Sequence, residues 1–263
     1  MKILFTFLFF LFSANVFSQQ EPIQVEVINT VLLEADTFIG YDKFESIYYI
    51  KDNVLFKVKD QTSISYKNVS LGKISKVDLL NPLKIVLFFE RFNTMVILDN
   101  QLNEILKVNF SEIKNPILTT KIGIASQNQI WAFDEVTQQI YLYDTLNGNL
   151  KPVGIPLAER MVFYHTDFNS FEWMDVAKRW YSCSIFGTIK ELKIAFDFDC
   201  ILAANSEIII YKKDEKIYIY SKKTEKISAL ENIDKSFKSL TFKNQILSIF
   251  TNQGINNYKI ITP

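Results

Sequence analysis

The chain has 263 residues, 48% apolar and 22% charged, a balance that supplies a packed core and excludes a disordered polyelectrolyte. Lys+Arg and Asp+Glu stand at 29 each, so no net field directs the protein to nucleic acid or to an anionic membrane surface. Aromatics reach 14%, with 23 Phe and 12 Tyr, and these favour strands because flat side chains fit a pleated surface.

The first element is a leader. In "MKILFTFLFFLFSANVFSQQ", Lys2 precedes a ten-residue apolar run, and Val16 and Ser18 offer small residues for a cut before Gln19. That run is too short to span a bilayer, which takes about 20 residues, and reads as a secretory signal peptide over residues 1–18. Residues 19–263 then form one domain. No cysteine stands near the cut, so no lipid anchor is expected, and no later segment reaches the 18 apolar residues of a spanning helix. The expectation is an exported protein, in the periplasm or associated with the outer membrane.

Past the leader, short β-rich runs joined by polar tips recur. "SIYYI" turns through "KDN" into "VLFKVK", and "KIVLFF" turns through "ERFN" into "TMVILD". "QIWAFD", "SFEWMD", "EIIIYK" and "QILSIF" each open a further hairpin. The second strands start near Val54, Thr94, Gln139, Trp180, Ile217 and Ile255, a spacing of about 40 residues that matches four-stranded propeller blades. Each period leaves room for an inner strand before the hairpin, as in "TKIGIAS", and an outer strand after it, as in "EILKVNF".

The last period stops at Pro263 after its third strand, and "IQVEVIN" at residues 23–29 stands unassigned before the first. Pairing that strand into the last blade would close a ring and remove an open edge. The fold class read here is all-β, a β-propeller of six four-stranded blades closed by the N-terminal strand. A seven-bladed ring or a two-sheet sandwich would show similar short strands. Seven glycines are few for so many turns, which puts the work on Asn and Asp.

Three segments, "SLGKISKVDLLNPLKIVLFFERFNTMVILDNQLNEI", "WYSCSIFG" and "FKNQILSIFTNQGINNYKI", resemble a group of uncharacterised exported proteins of Bacteroidota. The resemblance implies a β-propeller-like envelope protein and transfers no catalytic residue.

Candidate chemistry is sparse. His165, the one histidine, sits two residues from Asp167 in "FYHTDF", which places both on one strand face as a candidate polar site. No nucleophile elbow accompanies them, and a lone histidine among aromatics is ordinarily structural. Glu90 with Arg91, and Asp134 with Glu135, occupy hairpin tips, where solvated charge is normal. "DFDC" sets Asp197 and Asp199 on one face with too few oxygens for calcium. Cys183 and Cys200 could form a disulfide in an exported protein, or remain free as small apolar residues. Two cysteines and one histidine cannot fill a structural zinc site.

Asn68 and Asn109 begin glycosylation sequons, and Thr145 in "DTL" is a candidate for O-glycosylation. No phosphate-cradling or dinucleotide motif is present, so no cofactor is expected, and neither is nucleic acid as a partner. The sequence supports a non-enzymatic scaffold that binds envelope proteins. The alternative is a ligand- or glycan-binding, even hydrolytic, propeller that uses the mouth of its central channel.

Overall fold

Ile85, Leu87 and Phe89 face one way and Val86 and Phe88 the other, and all five are buried. A strand covered on both faces carries no polar alternation, which is why "KIVLFF" is continuously apolar. The odd-numbered set packs on Tyr48 and Leu55, and the even-numbered set on Ile122 and Ala132, so neighbours lie on either side of the same sheet. The coordinates are a computed structural model that describes residues 23–194, 196–234 and 236–260. The leader read over residues 1–18 lies outside the described residues.

Among the described residues twenty-five strands make six sheets. The chain opens with β1 (Ile23–Gln24) and β2 (Glu26–Leu32). Blade one is β3 (Thr37–Tyr41), β4 (Ile47–Lys51), β5 (Val54–Lys59) and β6 (Thr62–Tyr66). Blade two is β7 (Lys76–Asp78), β8 (Ile85–Phe89), β9 (Thr94–Leu98) and β10 (Glu104–Asn109). Blade three is β11 (Thr119–Ile124), β12 (Gln129–Asp134), β13 (Gln139–Asp144) and β14 (Leu150–Val153). Blade four is β15 (Met161–Thr166), β16 (Ser170–Asp175), β17 (Trp180–Ser184) and β18 (Ile189–Leu192). Blade five is β19 (Cys200–Ala204), β20 (Ile208–Lys213), β21 (Lys216–Ser221) and β22 (Ile227–Glu231). Blade six joins β23 (Ser239–Lys243), β24 (Ile246–Phe250) and β25 (Gly254–Lys259) to β2.

Among the described residues six apolar clusters lie between successive blades, and the sixth, with Phe250 and Ile255 against Phe38, joins blade six to blade one. The ring is therefore closed by side chains as well as by backbone. β2 supplies the outer strand of blade six, antiparallel to β25, so the closure expected from the sequence is present. Its extent differs from expectation. Ile23 and Gln24 run parallel to β22 as a fifth strand of blade five, and the closing strand proper begins at Glu26. Val25, between the two, is buried in the cluster shared by blades five and six and lets one segment serve both.

The scarcity of glycine is resolved at the turns. Asp52–Asn53, Asp214–Glu215 and Asn244–Gln245 each have two successive residues at positive φ. That is the geometry of two-residue hairpins whose twist matches the strands, and Asp or Asn followed by a second polar residue adopts it here in place of glycine. Because each blade is antiparallel, its first and third turns open on one face of the ring. Its second turn and the connection to the next blade open on the other. Among the described residues no helix is long and apolar enough to cross a membrane.

Candidate functional site

The innermost strands β3, β7, β11, β15, β19 and β23 line the axis. Four of them, β3, β11, β15 and β19, carry a register shift near their start, a bulge that bends the strand and re-aims the residues after it. Inner strands of blades three and four approach closely, for a Cβ on Gly123 would lie 1.9 Å from the Thr166 Oγ1.

On this frame the innermost strand β15 carries Tyr164, which reaches toward blade three, and His165, its neighbour on the other strand face. The Tyr164 hydroxyl accepts from the Lys76 Nζ of β7 at 2.7 Å and donates to the Ile122 carbonyl of β11 at 3.2 Å. Its ring stacks on Phe171 with centroids 5.6 Å apart, which fixes it against its own blade. His165 pairs in register with Glu172 on β16, and Glu172 holds an ion pair with Lys222 from the third turn of blade five. Burial pushes the imidazole down to about 4, helped by the charges of Lys222 and Lys76 and opposed by Asp167 and Asp78. It is a neutral ring at physiological pH. Burial pushes the Glu172 carboxyl up, against the pull of Lys222.

Asp167 does not orient His165. Its Oδ1 accepts from the backbone amides of Asn169 and Ser170 at 2.8 and 2.7 Å, and its Oδ2 from the Ser170 hydroxyl at 3.0 Å. This is an Asx turn, and the same use of aspartate recurs at Asp42, Asp99, Asp144 and Asp175. Asp134 likewise accepts from Leu118 and from Thr137, while Glu135 accepts from the Thr120 hydroxyl. Asp197 and Asp199 precede β19 and do not share a strand. Asp197 pairs with Lys178 at 3.2 Å and Asp199 accepts from the Asp214 amide. Glu90 and Arg91 lie in a single exposed turn of 3₁₀ helix.

Of the two alternatives for Cys183 and Cys200, the structure has both as free thiols. Cys183 is buried on β17 between blades three and four, and Cys200 is exposed at the start of β19, so the two thiols belong to different environments. Burial pushes the Cys183 thiol up to about 11. Trp131, Trp173 and Trp180 are all buried and offer no platform to a sugar. Thr145 donates its hydroxyl to the Asn128 carbonyl in an exposed turn. Among the described residues no three His, Cys, Asp or Glu side chains gather as metal ligands. Sequence reasoning found His165 and missed Lys76, Lys121, Tyr164 and Lys222, whose meeting depends on blades far apart in the chain.

Six antiparallel blades in a ring make this protein a six-bladed β-propeller. No protein-family model matches the chain, and no curated protein does. Among solved structures, virginiamycin B lyase from Staphylococcus aureus aligns with a TM-score of 0.57 at 11% identity, covering 93% of this chain and 97% of that one. A streptogramin B lyase aligns at 0.54 with 12% identity, covering 90% and 97%. BBS1N, solved in complex with ARL6DN, aligns at 0.57 with 12% identity, covering 88% and 79%. At such identities the likeness carries the fold and not the chemistry.

Proposed function

We propose that this propeller is an exported, non-enzymatic scaffold that binds a protein partner in the periplasm or at the outer membrane. One observation carries the reading. On the face formed by second turns and blade-to-blade connections, Leu32 is 85% exposed, Val69 83%, Val136 74% and Ile155 70%. Phe92 and Leu118 stand exposed on the same face. Leu32, Val69, Leu118 and Ile155 lie at successive blade-to-blade connections and Phe92 and Val136 in second turns, so they follow an apolar arc from the junction of blades six and one round to blade four. Apolar side chains gathered on loops of one face are the mark of a protein-binding surface. The opposite face also exposes apolar residues, Phe44, Leu83, Leu146 and Phe186, on turns of blades one to four.

Asp134, Asp167 and Asp199 accept from backbone amides and Asp197 pairs with a lysine, so these four carboxylates are held in structural roles, which supports the same reading. Crosslinking in the intact cell envelope followed by affinity purification tests it. A specific partner should be recovered with the native chain and lost with Val69→Lys and Ile155→Lys. Recovery of no reproducible partner, or equal recovery with the two variants, would overturn the proposal.

A further inference from the structure

Lys76 and Lys121 come from neighbouring inner strands and flank one ring. The Lys76 Nζ lies 4.0 Å from the Tyr164 centroid and the Lys121 Nζ 6.0 Å from it. Among the described residues neither ammonium has a carboxylate partner. Lys76 has the neutral Tyr164 hydroxyl, and Lys121 has a 3.4 Å reach to the Thr120 carbonyl. Three carboxylates lie in the neighbourhood and each is already engaged. Glu172 pairs with Lys222, Asp78 accepts from the Ile124 amide at 2.9 Å, and Asp167 is held in its Asx turn. Two like charges thus sit on half-buried side chains with no counter-charge bonded to either, where Coulomb energies exceed those in bulk water.

We propose that this site binds a small oxyanion, a carboxylate or phosphate group, at the Tyr164 hydroxyl within reach of the ammoniums of Lys76 and Lys121. The Lys76 Nζ exchanges its neutral acceptor for a charged one, a stronger hydrogen bond. The Tyr164 hydroxyl, freed to rotate, donates to the anion in place of the Ile122 carbonyl. This site is separate from the apolar arc and does not depend on it.

Isothermal titration of the full chain at constant ionic strength tests the proposal, with inorganic phosphate in one arm and sodium acetate in the other. Saturable binding in either arm is expected, and the stronger arm tells phosphate from carboxylate. Lys76→Met with Lys121→Met should weaken binding by about tenfold or more, and Tyr164→Phe by a few-fold. Lys76→Gln and Lys121→Gln singly serve if the double variant does not fold. No saturable binding in either arm, or binding undiminished by loss of both lysines, would overturn the site.

Discussion

The Lys76 ammonium of blade two donates to the Tyr164 hydroxyl of blade four at 2.7 Å, past the inner strand of blade three. The same hydroxyl donates to the Ile122 carbonyl of blade three, so one oxygen ties three blades together at the axis. Tyr164→Phe removes it and leaves a partly buried carbonyl and ammonium without their partner. The loss should be about 1–2 kcal/mol, toward the lower end because Lys76 is long enough to turn to water. Urea unfolding of the two proteins measures it. An unchanged midpoint would show that the oxygen ties nothing.

His165 makes stability depend on pH. Its folded value near 4 lies below the unfolded value of 6.5, so the unfolded chain takes up a proton that the fold rejects. This contribution is fully present above pH 6.5 and is lost as pH falls toward 4, by roughly 3 kcal/mol in all. Glu172 acts in the opposite sense. Its folded pKa is raised, so from the unfolded value of 4.5 upward the fold binds the extra proton and flattens the lower part of the curve. His165→Gln should remove most of the slope between pH 6.5 and 4 in denaturant titrations. If the variant keeps the native slope, the imidazole is not its source.

The Lys222–Glu172 pair joins the third turn of blade five to the second strand of blade four, with side chains 14% and 10% exposed. Removing one partner leaves the other desolvated and uncompensated. Lys222→Met should therefore cost about 3 kcal/mol, while Lys222→Met combined with Glu172→Met should recover most of that loss. A double-mutant cycle by thermal or urea unfolding checks this. Additive losses would mean that the two side chains do not act on each other.

The hairpins were legible because central strands buried on both faces leave uninterrupted apolar runs, and Val54, Thr94, Gln139 and Trp180 each begin the strand expected of them. Ile217 and Ile255 follow strand starts at Lys216 and Gly254 by one residue. The closing strand was legible in kind, since an unpaired run at one end and a missing strand at the other imply each other. The division at Val25 was not, because nothing local in "IQVEVIN" says that its first two residues prefer the neighbouring blade. The axial cluster was the least legible part. Lys76, Lys121 and Tyr164 come from the inner strands of three blades and Lys222 from a turn of a fourth, and lysines and tyrosines in strands look the same whether they face solvent or an axis.

The two thiols should differ sharply in reactivity. Cys200 is exposed, and Cys183 is buried with its pKa pushed up to about 11 by that burial. Alkylation depends on the thiolate and on access, so iodoacetamide should label Cys200 alone in the folded protein and both residues in urea. Intact-mass spectrometry under non-reducing conditions reads this directly. A failure to label Cys183 in urea without reductant would reveal a disulfide and contradict the free thiols.

Closure of the ring concentrates on Gly254, the first residue of β25. Its φ is +142°, and a Cβ there would lie 2.2 Å from the Val31 carbonyl oxygen of the closing strand. Gly40 in β3 has nearly the same φ, +141°, but a Cβ there would meet nothing closer than 3.9 Å. Gly40→Ala therefore measures the conformational cost alone, about 1–2 kcal/mol, while Gly254→Ala adds the collision and should cost about 3 kcal/mol or more. The difference should be localised. Hydrogen exchange of the Glu26–Leu32 amides should speed up in Gly254→Ala and stay unchanged in Gly40→Ala, because β2 can yield only by leaving β25. Equal losses in the two variants, or exchange unaltered in β2, would place the constraint somewhere other than the contact between Gly254 and Val31.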